Sequence, residues 1–222
     1  MKAGVIGIPD RDFGAIDPVQ ETITQDGYDL TRCIEIRQSL TGVNDSGQIQ
    51  TGRAAVQRID DGEAIEISDG RIVVTEQPEI TTRYTEFISV PGQFIAVSNG
   101  GGTFAFDLIG QNVNASIERA EFDLDGFADE YPDATPWKVG FYGHVGNAEN
   151  GVLHGEGVFE DSDFGGAVRD AQKNQLGLNL AWGNETVKMM VSESGYVEVY
   201  QPSSYDTAEF SEFVMDSVLD HT

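Results

Sequence analysis

Apolar and polar residues alternate most regularly between residues 176 and 202. Three alternating runs are separated by the dipeptides Gly183-Asn184 and Ser194-Gly195, which tolerate the positive φ angles of two-residue hairpin turns. Residues two apart lie on one face of a strand. The shared apolar face holds Leu176, Leu178, Leu180, Trp182, Val187, Met189, Val191, Val197 and Val199. The pattern predicts an antiparallel meander whose apolar face needs a cover.

Helical patterns flank this meander on both sides. After it, Asp206 and Glu209 have the spacing of a capping box, and they begin a predicted helix over 206–220 with the apolar stripe Phe210, Phe213, Val214 and Val218. Before it, Asp161 or Ser162 can cap a second helix with the stripe Phe164, Ala167, Val168 and Ala171. Residues 100–222 are therefore predicted to form an α+β subdomain, an antiparallel sheet covered by two or three helices.

Residues 1–99 are predicted to form a β-rich subdomain. Hairpin signals at Asp61-Gly62, Asp69-Gly70 and Pro91-Gly92 separate short apolar runs. Five or six short strands with regular turns favour a meander or a small barrel. The segments 11–29, 41–52 and 143–157 lack such a pattern and are predicted as loops. The three glycines at 100–102 mark the boundary between the subdomains, unless the chain forms one continuous domain.

The charge of the chain is strongly negative. Its 222 residues include 38 acidic and 13 basic residues, a net charge of −25, and only four lysines. The chain also has 12 Phe, 7 Tyr and 2 Trp, more aromatic residues than a disordered acidic chain would have. At about 1 M salt the screening length is about 3 Å, so carboxylates there repel one another little. We interpret the composition as that of an extreme halophile, an archaeon; an ordinary acidic protein explains the scarcity of lysine less well.

Composition also limits the partners and the location. Nucleic-acid binding rests on basic patches, which are missing from this sequence, so we do not expect a nucleic-acid partner. Cys33 is the only cysteine, which leaves no intrachain disulfide. No run approaches the roughly 20 apolar residues of a membrane span, and the first residues do not resemble a signal peptide. We therefore expect a cytoplasmic protein with no membrane partner, no evident cofactor, and K⁺ or other salt cations as solvent ions.

Histidines and acids near a glycine-rich segment form the candidate catalytic site. His144 and His154 flank it, Glu156 follows, and Asp161 and Asp163 come next. Imidazole nitrogen and carboxylate oxygen are ligands for divalent metals, so these residues could serve a metal-dependent hydrolase. The alternative is that they are two ordinary histidines beside a loop.

Two polar segments have structural explanations beside functional ones. The backbone of Gly100, Gly101, Gly102 and Thr103 could bind an anion, or it could be a flexible connector in which Thr103 caps a helix over 104–111. Lys173 lies near the end of the predicted helix before the meander, where a cation suits the helix dipole.

Aromatic residues and a methionine surround the last hairpin and form the candidate interface: Trp182, Met190, Tyr196, Tyr200 and Tyr205. Such residues make good contact surfaces, although a packed helix could cover them instead. The leading hypothesis is a halophile-adapted cytoplasmic protein that acts through protein–protein contacts or self-association, as a regulator, adaptor or assembly subunit. The alternatives are the metal-dependent hydrolase, with acids from 156–163, and a structural component of a halophilic virus.

Overall fold

The computed structural model describes residues 1–41, 48–145 and 147–222, except for the side chains of 144 and 145. In these residues the fold is α+β, as predicted. Its strands are β1 Ala3–Pro9, β2 Val19–Gln25, β3 Tyr28–Thr41, β4 Gln48–Asp60, β5 Glu63–Ser68, β6 Arg71–Glu76, β7 Glu79–Val90, β8 Phe94–Val97, β9 Ile117–Arg119, β10 Thr135–Val145, β11 Ala148–His154, β12 Gln172–Trp182, β13 Glu185–Ser192 and β14 Tyr196–Gln201. Its helices are α1 Phe104–Val113, α2 Leu124–Glu130, α3 Gly165–Asp170 and α4 Thr207–Ser217.

Twelve of these strands form one antiparallel sheet, in the order β11-β10-β12-β13-β14-β1-β8-β7-β4-β3-β2, with β9 paired to β1. Strand β1 joins the two halves, since Gly4 lies opposite Val197 of β14 and Val5 opposite Val97 of β8. The predicted small barrel is wrong: β2 and β11 are the two ends of an open sheet. Because β1 occupies the edge of β8, the N-terminal strands continue the sheet and do not close on themselves. The division at residue 99 stays a prediction.

The predicted meander and its C-terminal helix are confirmed. The meander consists of β12, β13 and β14, and both Gly183 and Gly195 adopt the positive φ that their turns require. The Asp206 side chain accepts hydrogen bonds from the backbone at the start of α4, and Glu209 completes the capping box. The four apolar residues predicted for this helix face are fully buried: Phe210, Phe213, Val214 and Val218.

The predicted helix before the meander is shorter than expected, and its predicted stripe is only half buried. It is α3: Val168 and Ala171 of the stripe are buried together with Gly165, while Phe164 and Ala167 are exposed. A Cβ atom at Gly165 would lie 2.3 Å from the carbonyl oxygen of Phe159. This close backbone approach, which periodicity does not reveal, decides which side of the helix faces inward.

Three segments predicted as loops contain strands. Strand β2 lies within 11–29, β4 begins inside 41–52, and β11 lies within 143–157. Residues 42–47 and 146 of these segments lie outside the described residues. Both β2 and β11 are edge strands with mostly exposed side chains. An edge strand exposed on both faces needs no apolar alternation, so its sequence resembles that of a loop.

The two faces of the sheet are covered by different helices. On the first face, Phe127 of α2, Val168 of α3 and Phe210 of α4 pack with the apolar side of the meander. On the second face, Phe106 and Ile109 of α1 pack over the N-terminal strands. Among the described helices, none is both long enough and apolar enough to cross a membrane.

Candidate functional site

The second face of the C-terminal strands is the candidate site, which we call the open face. Helices α2, α3 and α4 pack on the first face, and α1 packs over the N-terminal strands. Strand pairing aligns Lys138, Gly177 and Met190 across β10, β12 and β13. The side chains of the open face are Trp137, Lys138, Asn179, Lys188, Met190, Tyr196, Glu198 and Tyr200.

An aromatic pair with a cation lies at the centre of this face. The register of β10 against β12 shifts between Pro136 and Lys138, and the Trp137 ring there lies over Gly177, where a Cβ atom would be 2.7 Å from the ring. The Trp137 and Tyr200 rings meet edge to face with centroids 5.4 Å apart. The Lys188 ammonium lies 4.6 Å from the Trp137 ring centroid, a cation–π distance. The three side chains are thus held against one another within the chain.

Polar contacts organise the rest of the open face. Lys138 Nζ donates to the sulfur of Met190 at 3.1 Å, and the Tyr196 hydroxyl donates to Glu198 at 3.2 Å. Burial, together with the Glu198 carboxylate, raises the pKa of Tyr196 and of Tyr200 to about 12. Both phenols are therefore neutral hydrogen-bonding groups at physiological pH. Lys138 and Lys188 are half of the lysines in the chain.

The five residues of the predicted interface lie on two different faces. Met190, Tyr196 and Tyr200 lie on the open face. Trp182 lies two residues after Leu180 on β12 and therefore on the same face as that buried leucine. Its ring packs against Phe213 of α4, at 5.6 Å between centroids, and against Tyr205, at 6.0 Å. Tyr205 is 7% exposed. Trp182 and Tyr205 thus pack beside α4, on the other side of the sheet.

The predicted metal ligands come only partly together. His154 ends β11 opposite Lys138, and it lines a cavity of about 530 Å³ with Glu156 and Asp161. Asp161 already accepts hydrogen bonds from the N–H groups of Asp163 and Phe164, at 2.8 and 2.9 Å. These two donors lower its pKa.

The remaining predicted ligand cannot be placed with them. His144 belongs to β10, but its side chain lies outside the described residues. Among those described, no three His, Cys, Asp or Glu residues are arranged to hold a metal ion. A metal site that includes His144 therefore stays a prediction.

A second cavity links the histidine segment to the open face. It has a volume of about 520 Å³, and its lining includes His154, Glu156, Trp137, Lys188 and Gln201. The segment 154–156 therefore separates the two cavities and forms one rim of the open face.

The glycine segment is an ordered entry to α1. The N–H of Gly101 donates to the Asn99 side chain, that of Gly102 to the Asn99 carbonyl, and that of Thr103 to the Gly100 carbonyl. These three amides are engaged within the turn. A Cβ atom at Gly102 would lie 2.4 Å from the Thr85 hydroxyl oxygen, so close packing requires glycine there.

A third cavity, of about 540 Å³, contains the buried Lys173. Its ammonium donates to the Asp125 carboxylate, to the Arg169 carbonyl at 2.8 Å and to the Ala171 carbonyl at 3.3 Å. An ammonium has three donors, so all three are satisfied. Lys173 links α2, the end of α3 and β12, which agrees with its predicted position at a helix C-terminus.

Sequence reasoning missed Trp137 and Lys138 as parts of the candidate site. These two residues precede the first strand of the meander by more than 30 residues along the chain. Only the pairing of β10 with β12 places them beside Met190 and Tyr200. The alternation of residues 137–144 signals a strand, but it contains no information about the neighbour of that strand.

Comparison with protein-family models, with curated proteins and with solved structures gave no match. The function of the open face is therefore inferred from its own residues.

Proposed function

We propose that this chain is a non-catalytic binding protein that contacts another protein through its open face, as an assembly subunit, adaptor or regulator. The observation that supports this is the composition of that face. Trp137, Tyr196, Tyr200 and Met190 are of the types enriched in protein interfaces. Their rings are held in place by packing, so little conformational entropy is lost on binding.

Charge supports the same proposal. The chain as a whole carries a net charge of −25, which opposes association with any other acidic surface. The open face instead carries two lysines, Lys138 and Lys188, together with the Glu198 carboxylate and, at its rim, Glu156. A locally neutral, aromatic surface on a strongly acidic protein is the part where a second macromolecule meets the least repulsion.

We further propose that the remaining carboxylates adapt the protein to molar salt, in the cytoplasm of a halophile. Within the described residues, Glu212 is the only acidic residue that is buried. The other described carboxylates are partly or fully exposed to solvent, where they can hold water and cations. This distribution supports their interpretation as a hydrated coat.

A metal-dependent hydrolase is the second candidate. One observation favours it, namely that His154, Glu156 and Asp161 line the same cavity. The Asp161 oxygen that faces the backbone is occupied by two N–H donors, so this carboxylate has less capacity left for a metal. The binding function has the stronger support.

Site-specific photo-crosslinking tests the proposed function. Tyr200 and Tyr28 are 38% and 37% exposed, but Tyr28 lies at the turn between β2 and β3, away from the open face. Each is replaced separately by the photoreactive amino acid benzoylphenylalanine, and the protein is irradiated in an extract of its source cells in molar KCl. We expect protein adducts at position 200 and few at 28. Equal labelling at both positions, or no adduct at 200, would contradict the proposal.

A further inference from the structure

An exposed two-stranded arm extends from the N-terminal half of the sheet. Strand β3 pairs with β4 only as far as Val56, so beyond it β4 and β7 pair with each other alone, up to Asp60 opposite Glu79. The hydrogen bond from the Gln77 N–H to the Gly62 carbonyl continues the ribbon into the β5–β6 hairpin. We call residues 57–82 the arm. A two-stranded ribbon is marginally stable in water on its own.

One face of the arm is apolar and faces solvent. Ile65 lies opposite Val74 and Ile67 opposite Ile72, so the four side chains share a face. They are 66%, 55%, 81% and 71% exposed, respectively. Contiguous apolar side chains that stay in water mark interaction sites, and these are β-branched residues of the kind that pack on a sheet surface.

The charge of the arm restricts what it can bind. It contains two basic residues, Arg58 and Arg71, and seven acidic ones: Asp60, Asp61, Glu63, Glu66, Asp69, Glu76 and Glu79. Glu63 and Glu76 lie opposite each other on the apolar face and flank it. A fitting surface is apolar or aromatic at its centre and carries cations. The open face is neutral as a whole, but its centre has this chemistry, because the Lys188 ammonium lies over the Trp137 ring beside Tyr200.

We propose that the apolar face of the arm docks on the open face of a second copy of this chain. This inference rests on the proposed function and names the partner of the open face. The arm is a continuation of β4 and β7, and β4 lies six strand positions from β12. At about 4.8 Å per strand this is roughly 29 Å across the sheet, whereas the hairpin, roughly 20 Å long, extends along the strand direction. The arm therefore reaches a neighbour and not its own open face.

This contact joins two different surfaces, so it is head-to-tail. Each copy has one arm and one open face. When copies join in a row, the copy at one end keeps an unused arm and the copy at the other end keeps an unused open face. Repetition of such a contact gives a closed ring if the rotation between copies closes, and a linear chain if it does not. The protein is then a self-assembling subunit.

Complementation between two variants tests the assembly. The arm variant carries Ile67→Glu and Ile72→Glu, and the face variant carries Lys188→Glu and Tyr200→Ala. Masses are measured by light scattering in molar KCl, with circular dichroism to verify folding. We expect the native chain to form assemblies of several copies and each variant alone to be monomeric. An equimolar mixture should form dimers and nothing larger, because it retains one complementary pair of surfaces.

Matched controls separate the surfaces from general effects. Val73, 46% exposed, lies on the other face of the same hairpin, so Val73→Glu should leave the assembly intact, as should Tyr28→Ala. The inference is overturned if the native chain is monomeric, if Val73→Glu dissociates the assembly, if the face variant still assembles, or if the mixture stays monomeric.

A second measurement is independent of variant folding. Benzoylphenylalanine in place of the exposed Ile67 is irradiated in a mixture of ¹⁴N- and ¹⁵N-labelled chains. We expect mixed-isotope crosslinks to open-face peptides from β10 or β12–β14; crosslinks to the arm of the second copy, or none, contradict the inference. If position 200 crosslinks only to a different protein, the proposed function stands and this inference fails. If position 200 gives no adduct, both fail.

Discussion

Replacement of Lys173 by methionine tests whether this buried lysine is a structural link. The variant keeps an apolar stem of similar length and removes the ammonium group. The structure gives this group three acceptors: the Asp125 carboxylate and the carbonyls of Arg169 and Ala171. Methionine satisfies none of them.

The expected cost follows from the exposure of each acceptor. The Asp125 side chain is 59% exposed, so water replaces the lysine there and the lost pair contributes less than about 1 kcal/mol. The hydrogen bond to the Ala171 carbonyl is buried and that to the Arg169 carbonyl is partly buried, and a buried acceptor left without a donor costs about 1–3 kcal/mol. We therefore expect Lys173→Met to lower the free energy of unfolding by about 2–3 kcal/mol. The loss stays below that of a fully buried broken ion pair, about 3–5 kcal/mol, because no buried charge remains.

Urea unfolding in molar KCl measures this change. With an m-value of about 2 kcal/mol per molar urea, the midpoint should fall by about 1 M. Lys2→Met is the matched control, since the Lys2 ammonium makes an exposed hydrogen bond of 3.3 Å to the Ser203 carbonyl, and its removal should cost less than about 0.5 kcal/mol. Equal midpoint shifts in the two variants would refute the reasoning that burial makes the Lys173 contacts matter.

Three further outcomes are expected. Dialysis from molar KCl into salt-free buffer should unfold the chain, seen as lost near-ultraviolet circular dichroism, because 38 carboxylates then repel one another unscreened; a fold that persists contradicts the brine adaptation. The pKa values of Tyr196, Tyr200 and Tyr205 are raised to about 12 from about 10 in the unfolded chain, so their contribution to stability is complete below pH 10 and is lost as the pH rises to 12. Ultraviolet titrations in which Tyr196→Phe, Tyr200→Phe and Tyr205→Phe each remove a phenol that ionises near pH 10 would exclude this. Zn²⁺, Mn²⁺ or Mg²⁺ should leave the thermal midpoint unchanged, because no three ligands converge among the described residues; a metal-induced rise that His154→Ala abolishes would instead favour the hydrolase.

Local chemistry was enough to predict the meander and its helix. Two dipeptides that accept positive φ, a period of two, and a capping box each depend on residues within one turn or one strand of each other. The candidate interface predicted around the last hairpin included Met190, Tyr196 and Tyr200, which lie on the open face. Part of the candidate site was thus predictable from the sequence.

Contacts between distant residues decided the rest of the site. The pairing of β10 with β12 brought Trp137 and Lys138 to the open face, and the packing of α4 placed Trp182 and Tyr205 on the other one. The pattern of apolar and polar residues within one segment does not indicate either contact. The barrel prediction failed for the same reason, because the pairing of Gly4 with Val197 spans nearly the whole chain.

Burial is the clearest case of what the sequence alone did not determine. Leu176, Leu178 and Leu180 alternate in the same way as Ile65 and Ile67, and period two assigns each set to one face of a strand. The first set is buried because α4 covers it, and the second is exposed because nothing in the described chain packs on it. Periodicity determines which side chains share a face, whereas the tertiary structure determines whether that face has a cover within the same molecule.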